Sequence, residues 1–182
     1  MDNGAECYRR YRNGDDAGLA EMIDEYGDGL IFYLNTYVHN LSVAEELAED
    51  TFVRLATRKP TYVERSSFKT WLYAIARNLA IDWLRREKRR KTVSAEEWAE
   101  TAADDSEIEQ TVWCEERKRL LHQAMQGLKY EYRQVLWLCY FEELSSKEIA
   151  QVMKKSVNSV DHLLSRARRS LRTKLDKEDF LL

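Results

Sequence analysis

The chain has 182 residues, 44% hydrophobic and 34% charged, with one proline and six glycines. So few breakers favour helix almost throughout, and no stretch alternates apolar and polar residues well enough for a sheet. The longest apolar run, Val135 to Phe141, is far too short to cross a membrane. The net charge of −3 hides a segregation: Thr92 to Glu116 contains no Lys or Arg, whereas Arg117 to Lys174 is basic. An acidic connector between basic lobes fits an anionic partner such as DNA; solvated helix faces and a solvated linker are the plainer alternative.

Cys7, Cys114 and Cys139 are odd in number and far apart, so they form neither a disulfide framework nor a metal pair, and a reducing cytoplasm is expected. The opening MDNGAECYRR lacks the apolar core of a signal peptide. His39, His122 and His162 have no nucleophile or metal partner at useful spacing, and there is no glycine-rich phosphate loop. Catalysis, a metal centre and a cofactor are therefore not expected.

In chain order, residues 1–15 read as a polar, frayed lead-in. Asp16 is expected to cap a helix through Leu19, Met22, Ile23 and Tyr26. Gly27 and Gly29 interrupt the pattern before Leu30, Ile31, Tyr33, Leu34, Tyr37 and Val38, giving one kinked helix or two short ones. Ser42 and Glu45 have capping-box spacing. The helix from there to about Thr57 turns Ala44, Leu47, Ala48, Phe52 and Leu55 inward, with Glu45, Glu46, Glu49 and Asp50 outside. Acid at a helix N-terminus is favourable by about 0.3–1 kcal/mol; a docking surface for a basic partner is the functional alternative.

A loop around Pro60 leads to Ser66 or Ser67, either of which can cap the helix from Phe68 to Lys91. Leu72, Ile75, Ala76, Leu79 and Trp83 form its apolar stripe. Trp71, Asn78, Asp82 and Arg85 share another side, and the end is a basic run from Arg85 to Lys91 broken only by Glu87. Aromatics, an amide, a carboxylate and cations on one helix suit nucleic-acid reading. Residues 92–114 read as an acidic, extended linker, with Trp98, Ile108, Val112 and Trp113 as apolar exceptions.

A second helical lobe spans 115–176, followed by a tail, 177–182. Leu120, Leu121, Ala124, Met125 and Leu128 make one stripe, and Tyr132, Val135, Leu136, Leu138, Cys139 and Phe141 the next, with Cys139 expected as a buried, inert thiol. Ser145 and Glu148 form a capping box for a short helix with Ile149, Ala150 and Val152 inward. After a turn at Lys154 and Lys155, Ser156 caps a long helix with Val157, Val160, Leu164, Ala167, Leu171 and Leu175 inward. A short helix, a tight turn and a longer helix opening with small polar residues is a helix-turn-helix pattern. A three-helix bundle without a DNA role shares it.

EELSSKEIAQVMKKSVNSVDHLLSRARRSLRTKL resembles region 4 of the bacterial sigma-70 family, and FKTWLYAIARNLAIDWLRR, preceded by AEELAEDTFVRL, resembles region 2. Two lobes and a linker without further domains resemble the extracytoplasmic-function (ECF) group. The resemblance implies an all-α protein of two small domains, a helical bundle at 16–91 and a helix-turn-helix domain at 115–176, joined by a flexible acidic linker. It implies a cytoplasmic, non-catalytic specificity subunit of RNA polymerase that recognises promoter −35 and −10 elements and assists melting. Its implied partners are core RNA polymerase, promoter DNA and an anti-sigma factor, with no small-molecule substrate and no membrane insertion.

By matching positions, Glu45, Glu49, Asp50, Thr51 and Phe52 are expected to meet the polymerase. Tyr62, Ser66, Ser67, Phe68, Lys69, Trp71, Asn78, Asp82, Arg85 and Arg86 are expected at the −10 element, where a flipped base is trapped. Ser156, Asn158, Ser159, Asp161, His162, Ser165, Arg166, Arg168 and Arg169 are expected at the −35 element. Lys154 stands where the family usually has glycine, which predicts a differently shaped turn. Leu163 stands where the family is often basic, which makes it a candidate for another apolar surface, such as an inhibitor protein.

Overall fold

The computed structural model describes residues 3–93, 125 and 127–177. The expected linker beyond residue 93, its four apolar residues, Leu120, Leu121, Ala124 and the C-terminal tail beyond 177 lie outside the described residues. All regular structure within them is helical: α1 (Asn3–Arg12), α2 (Ala17–Val38), α3 (Leu41–Arg58), α4 (Phe68–Val93), α5 (Tyr130–Tyr140), α6 (Ser146–Met153) and α7 (Val157–Lys177). The chain divides into two compact units. The first carries α1–α4 and the second most of α5–α7.

In the first unit, α2 packs on α1, α3 and α4, and α3 also packs on α4. The frayed lead-in is replaced by a packed helix. Cys7, Tyr8 and Tyr11 of α1 are buried, and its amphipathic row of 4, 5, 7, 8 and 11 is too short to stand out in sequence. Gly18 is where α1 and α2 touch, since a Cβ there would run into the Cys7 carbonyl. Asp16 does not cap α2 with its side chain; the Asp15 carboxylate takes the Ala17 N–H at 3.1 Å. Arg10 bonds to Asp15 and holds that carboxyl below its usual range. Across Gly27 and Gly29 the chain remains one helix, α2, which ends at His39 in left-handed conformation (φ 52°).

That early end moves the start of α3. Asn40 is extended and its side chain accepts from the Val43 N–H at 3.1 Å, so Asn40 rather than Ser42 is the cap. The inward residues of α3 are as expected, with Thr51 added.

Helix α4 is capped by Ser67, whose hydroxyl accepts from the Thr70 N–H at 3.3 Å. Its buried row is Phe68, Leu72, Tyr73, Ala76 and Ala80. Ile75, Leu79 and Trp83, expected in the core, are only half-buried. The stripe is rotated from the expected phase because α2 and α3 seat Tyr73 and Ala80, and Tyr73 meets Tyr33 at 5.3 Å between ring centroids.

In the second unit α5 packs on α7. Gln134, Val135, Leu136, Trp137 and Leu138 are buried. The Trp137 indole N–H donates to the buried Glu142 carboxylate at 3.1 Å. Cys139 is half-buried rather than interior, facing Arg168. Ser145 and Glu148 form the expected reciprocal cap of α6, with the Ser145 N–H donating to Glu148 at 3.0 Å. Ile149, Ala150 and Val152 point inward.

The turn after α6 keeps a left-handed residue at Lys154, φ 52°. The Lys155 N–H reaches the Ala150 carbonyl at 3.0 Å and the Lys154 N–H the Gln151 carbonyl, which is a Schellman end. The expected change of turn shape does not occur; Lys154 carries a strain of about 1 kcal/mol instead. Ser156 caps α7 through the Ser159 N–H at 3.2 Å. Val160, Leu163, Leu164, Ala167 and Leu171 form its buried side, while Val157 is 41% exposed. Leu163 is therefore interior and is not presented to any other surface.

Candidate nucleic-acid interface

Residues 59–67 connect α3 to α4. Lys59 turns the chain in left-handed conformation (φ 41°) with its ammonium over the Tyr11 ring, and the Tyr8 hydroxyl donates to the Pro60 carbonyl at 2.6 Å. The Tyr62 hydroxyl donates to the Ser66 carbonyl, closing the loop on itself. Tyr8, Tyr62, Phe68 and Trp71 form one aromatic cluster, with Tyr62–Trp71 centroids 5.3 Å apart and Tyr8–Trp71 5.4 Å apart. Each such contact adds about 0.5–1.5 kcal/mol to the area buried.

Phe68 is the floor of this cluster and is fully buried. It presents no face to a ligand, contrary to the sequence expectation. Tyr62 and Trp71 are half-buried and form the rim. Ser66, Lys69 and Asn78 are also half-buried; the Ser67 hydroxyl serves as the α4 cap. At 3.6 residues per turn, Trp71, Asn78, Asp82 and Arg85 share one face. Asp82 and Arg85 are exposed and 3.5 Å apart, a pair too solvated to hold either group firmly. Arg86, Lys88, Arg89 and Arg90 continue an exposed cationic track. The structure thus brings an aromatic rim, an amide, a carboxylate and the cations Arg85 and Arg89 onto one side of α4 and its loop, with Lys88 and Arg90 on its two flanks.

On α3, Glu45, Glu49 and Asp50 are exposed, and Glu45 and Glu49 are one turn apart. Thr51 and Phe52 are not part of that surface. Thr51 is fully buried with its hydroxyl on the Leu47 carbonyl at 2.8 Å, and Phe52 is 6% exposed.

On α7 and its cap Ser156 all nine expected residues are exposed, but they divide by role. Asn158, His162, Ser165 and Arg169 lie at four-, three- and four-residue steps opposite the buried side. Ser156 and Ser159 pair their hydroxyls at 2.8 Å within the cap. Arg168 and Asp161 fall on one flank of the helix. Arg168 donates to the Tyr140 hydroxyl at 2.9 Å and lies over its ring; that hydrogen bond foremost raises the guanidinium's already high pKa. On the other flank, Arg166 joins Lys129, Tyr132 and Lys174 around a groove of about 680 Å³ that Arg169 borders from the outer face. A second groove beside it takes Lys155, Glu131, His162 and Arg166, with Lys155 and Glu131 paired at 3.1 Å. Lys129, Lys155 and Lys174 do not stand out in the sequence as a group. They are scattered along the chain, and only the packing of α5 on α7 gathers them.

Among the described residues no three His, Cys, Asp or Glu side chains come together as a metal site. No described helix is long and apolar enough to cross a membrane.

Residues 22–90 match the family model of sigma-70 region 2, and residues 118–171 match that of sigma-70 region 4. The chain is 32% identical over 160 residues to the RNA polymerase sigma factor YlaC of Bacillus subtilis (strain 168), covering 87% of this chain and 92% of that protein. It is 29% identical over 175 residues to the ECF RNA polymerase sigma factor SigW of the same organism, covering 92% and 94%. Among solved structures, it is similar in fold to the sigma factor RpoE in complex with the anti-sigma factor NepR from Bartonella quintana. That likeness has a TM-score of 0.68 at 19% identity, over 86% of this chain and 96% of that one. CnrH, solved with the cytosolic domain of CnrY, gives a TM-score of 0.63 at 19% identity, over 98% and 99%.

Proposed function

The chain belongs to the sigma-70 family, in its extracytoplasmic-function group, and from that premise we propose how its surfaces divide the work of promoter-specific initiation. The α4 face and the loop before it read the −10 element. The observation that carries this is the half-open aromatic rim of Tyr62 and Trp71 on the same helix face as Asn78 and Asp82. A base leaving the duplex loses a few kcal/mol of stacking. Stacking on an aromatic side chain returns about 1–3 kcal/mol, and an amide and a carboxylate offer edge hydrogen bonds. Phe68 and Tyr8 act beneath the rim as its support. Arg85, Arg86 and the cations after them hold the backbone of the opening duplex.

The second unit reads the −35 element with Asn158, His162, Ser165 and Arg169 in the major groove, where a helix meets base edges. Arg166, Lys129 and Lys174 grip a phosphate wall, positioning without specifying sequence. Ser156 and Ser159 hold the start of the helix, and Arg168 braces α7 against α5. Glu45, Glu49 and Asp50 dock on core polymerase, with Thr51 and Phe52 supporting that face from inside. The reading divides the chain into a region 2 domain that takes in α1 as well as 16–91, and a region 4 domain within 115–176. RpoE and CnrH were each solved with a second protein, an anti-sigma factor in the case of RpoE; a partner of that kind is proposed here.

Run-off transcription with core polymerase and a promoter library tests the reading. A promoter-specific transcript is expected, and Asn78→Ala should lower open-complex formation more than binding to core. Absence of any specific transcript with every compatible core would overturn it.

A further inference from the structure

The region 2 match begins at residue 22, so α1 lies outside it. Yet α1 forms one wall of a cavity of about 250 Å³ whose other wall is the loop before α4. Tyr8, Arg9, Arg12, Asn13, Tyr62 and Glu64 line it. Tyr62 is therefore shared between this cavity and the aromatic rim.

The three arginines of α1 are not equivalent. Arg10 is held by Asp15 at 2.7 Å and Glu21 at 2.8 Å, away from the cavity. Arg9 and Arg12 are three residues apart on one face, exposed, and directed to the cavity. Arg9 meets Glu6 on its own helix and Glu64 of the loop at 3.5 Å, with more than half of the Arg9 and Glu64 side chains exposed. Such solvated pairs hold weakly, so a phosphate can take the place of Glu64.

We propose that Arg9 and Arg12 bind the phosphate backbone of single-stranded DNA, making α1 a second wall of the melted-strand site. This rests on the reading of Tyr62 and Trp71 as a base-receiving rim. A strand that delivers a base there must run its backbone past Tyr62. A cationic groove beside an aromatic platform is the arrangement that single strands bind, tolerant of sequence because the contact is to phosphate. Glu64 is the opposing element: its carboxylate occupies Arg9 until DNA arrives.

The test is fluorescence anisotropy of the full chain with a fluorescein-labelled twelve-nucleotide oligothymidylate, against the duplex of the same length, over a salt series. Arg9→Ala and Arg12→Ala should each weaken single-strand binding by about threefold to tenfold at low salt. Each should also lower the log–log salt slope by about 0.7 for every phosphate that is no longer neutralised. Arg12→Lys should keep most of the affinity. Glu64→Gln should tighten binding, a gain that a purely structural Arg9–Glu64 pair would not produce. Unchanged affinity in both alanine variants, an equal loss on duplex, or no binding by the unmutated chain would overturn the proposal. The probe carries no promoter sequence, so this result and that of promoter-specific transcription are read separately.

Discussion

At the residue scale, Cys7 links chemistry to the docking of α1. It is 1% exposed, and its thiol donates to the Glu21 carboxylate at 3.2 Å. Burial, then the hydrogen bond to Glu21, pushes the thiol from its ordinary 9.0 up to about 11, while the same bond and Arg10 hold the Glu21 carboxyl down. Because the folded pKa is raised, the folded state keeps a proton that the unfolded chain releases. The contribution is full below pH 9.0 and is lost as pH rises through about 11. Denaturant titrations across that range should show a steeper fall in stability for the unmutated protein than for Cys7→Ala; parallel curves would contradict the coupling. Phe68 and Leu163 are both interior, so each shapes the surface only by holding exposed neighbours in place.

At the element scale, helix ends decide which residues face where. The end of α2 at His39 leaves Asn40 as the extended residue before α3. Both Asn40 and Ser42 are chemically able to cap, but only Asn40 has the required backbone. Asn40→Ala should cost about 1 kcal/mol, read as a shift in the urea midpoint, and Ser42→Ala should change it little. The reverse order would show that α3 begins later. The turn from α6 to α7 is governed likewise by hydrogen bonds: the Lys155 N–H on the Ala150 carbonyl keeps Lys154 left-handed although lysine is poorly suited to it. The aim of α7 thus needs no glycine at this turn.

At the scale of the molecule, the overall charge works against unaided DNA binding. The chain carries 29 basic and 32 acidic side chains, so its cationic faces act against a net negative whole. Alone, it should bind promoter duplex weakly and with marked salt dependence. Adding core polymerase should raise that affinity by about a thousandfold, the lower end of what separates specific from non-specific binding. Electrophoretic mobility shifts with and without core would check this, and tight promoter binding without core would point instead to a free-standing regulator.

The amino-acid sequence by itself determined what local rules govern. The helical class followed from the scarcity of breakers. The caps at Ser145 and Ser156 followed from three-residue spacing, and the exposed acids of α3 and cations of α4 from single-helix periodicity. All of these depend on neighbours within about one turn. The candidate −10 face was legible as a row on α4, but its depth was not. A period of 3.6 fixes a stripe and leaves its phase open by one residue, and the partner helices set that phase. Hence Tyr73 took the place expected for Ile75 and Leu79. Only the tertiary structure decided that α1 exists as a packed helix and that Tyr8 pins Pro60 from 52 residues away. Only it showed that Thr51 faces inward, that Arg168 is engaged by Tyr140, and that Lys129 joins Arg166. Each of these rests on contacts between segments distant in sequence, whose geometry no local pattern encodes.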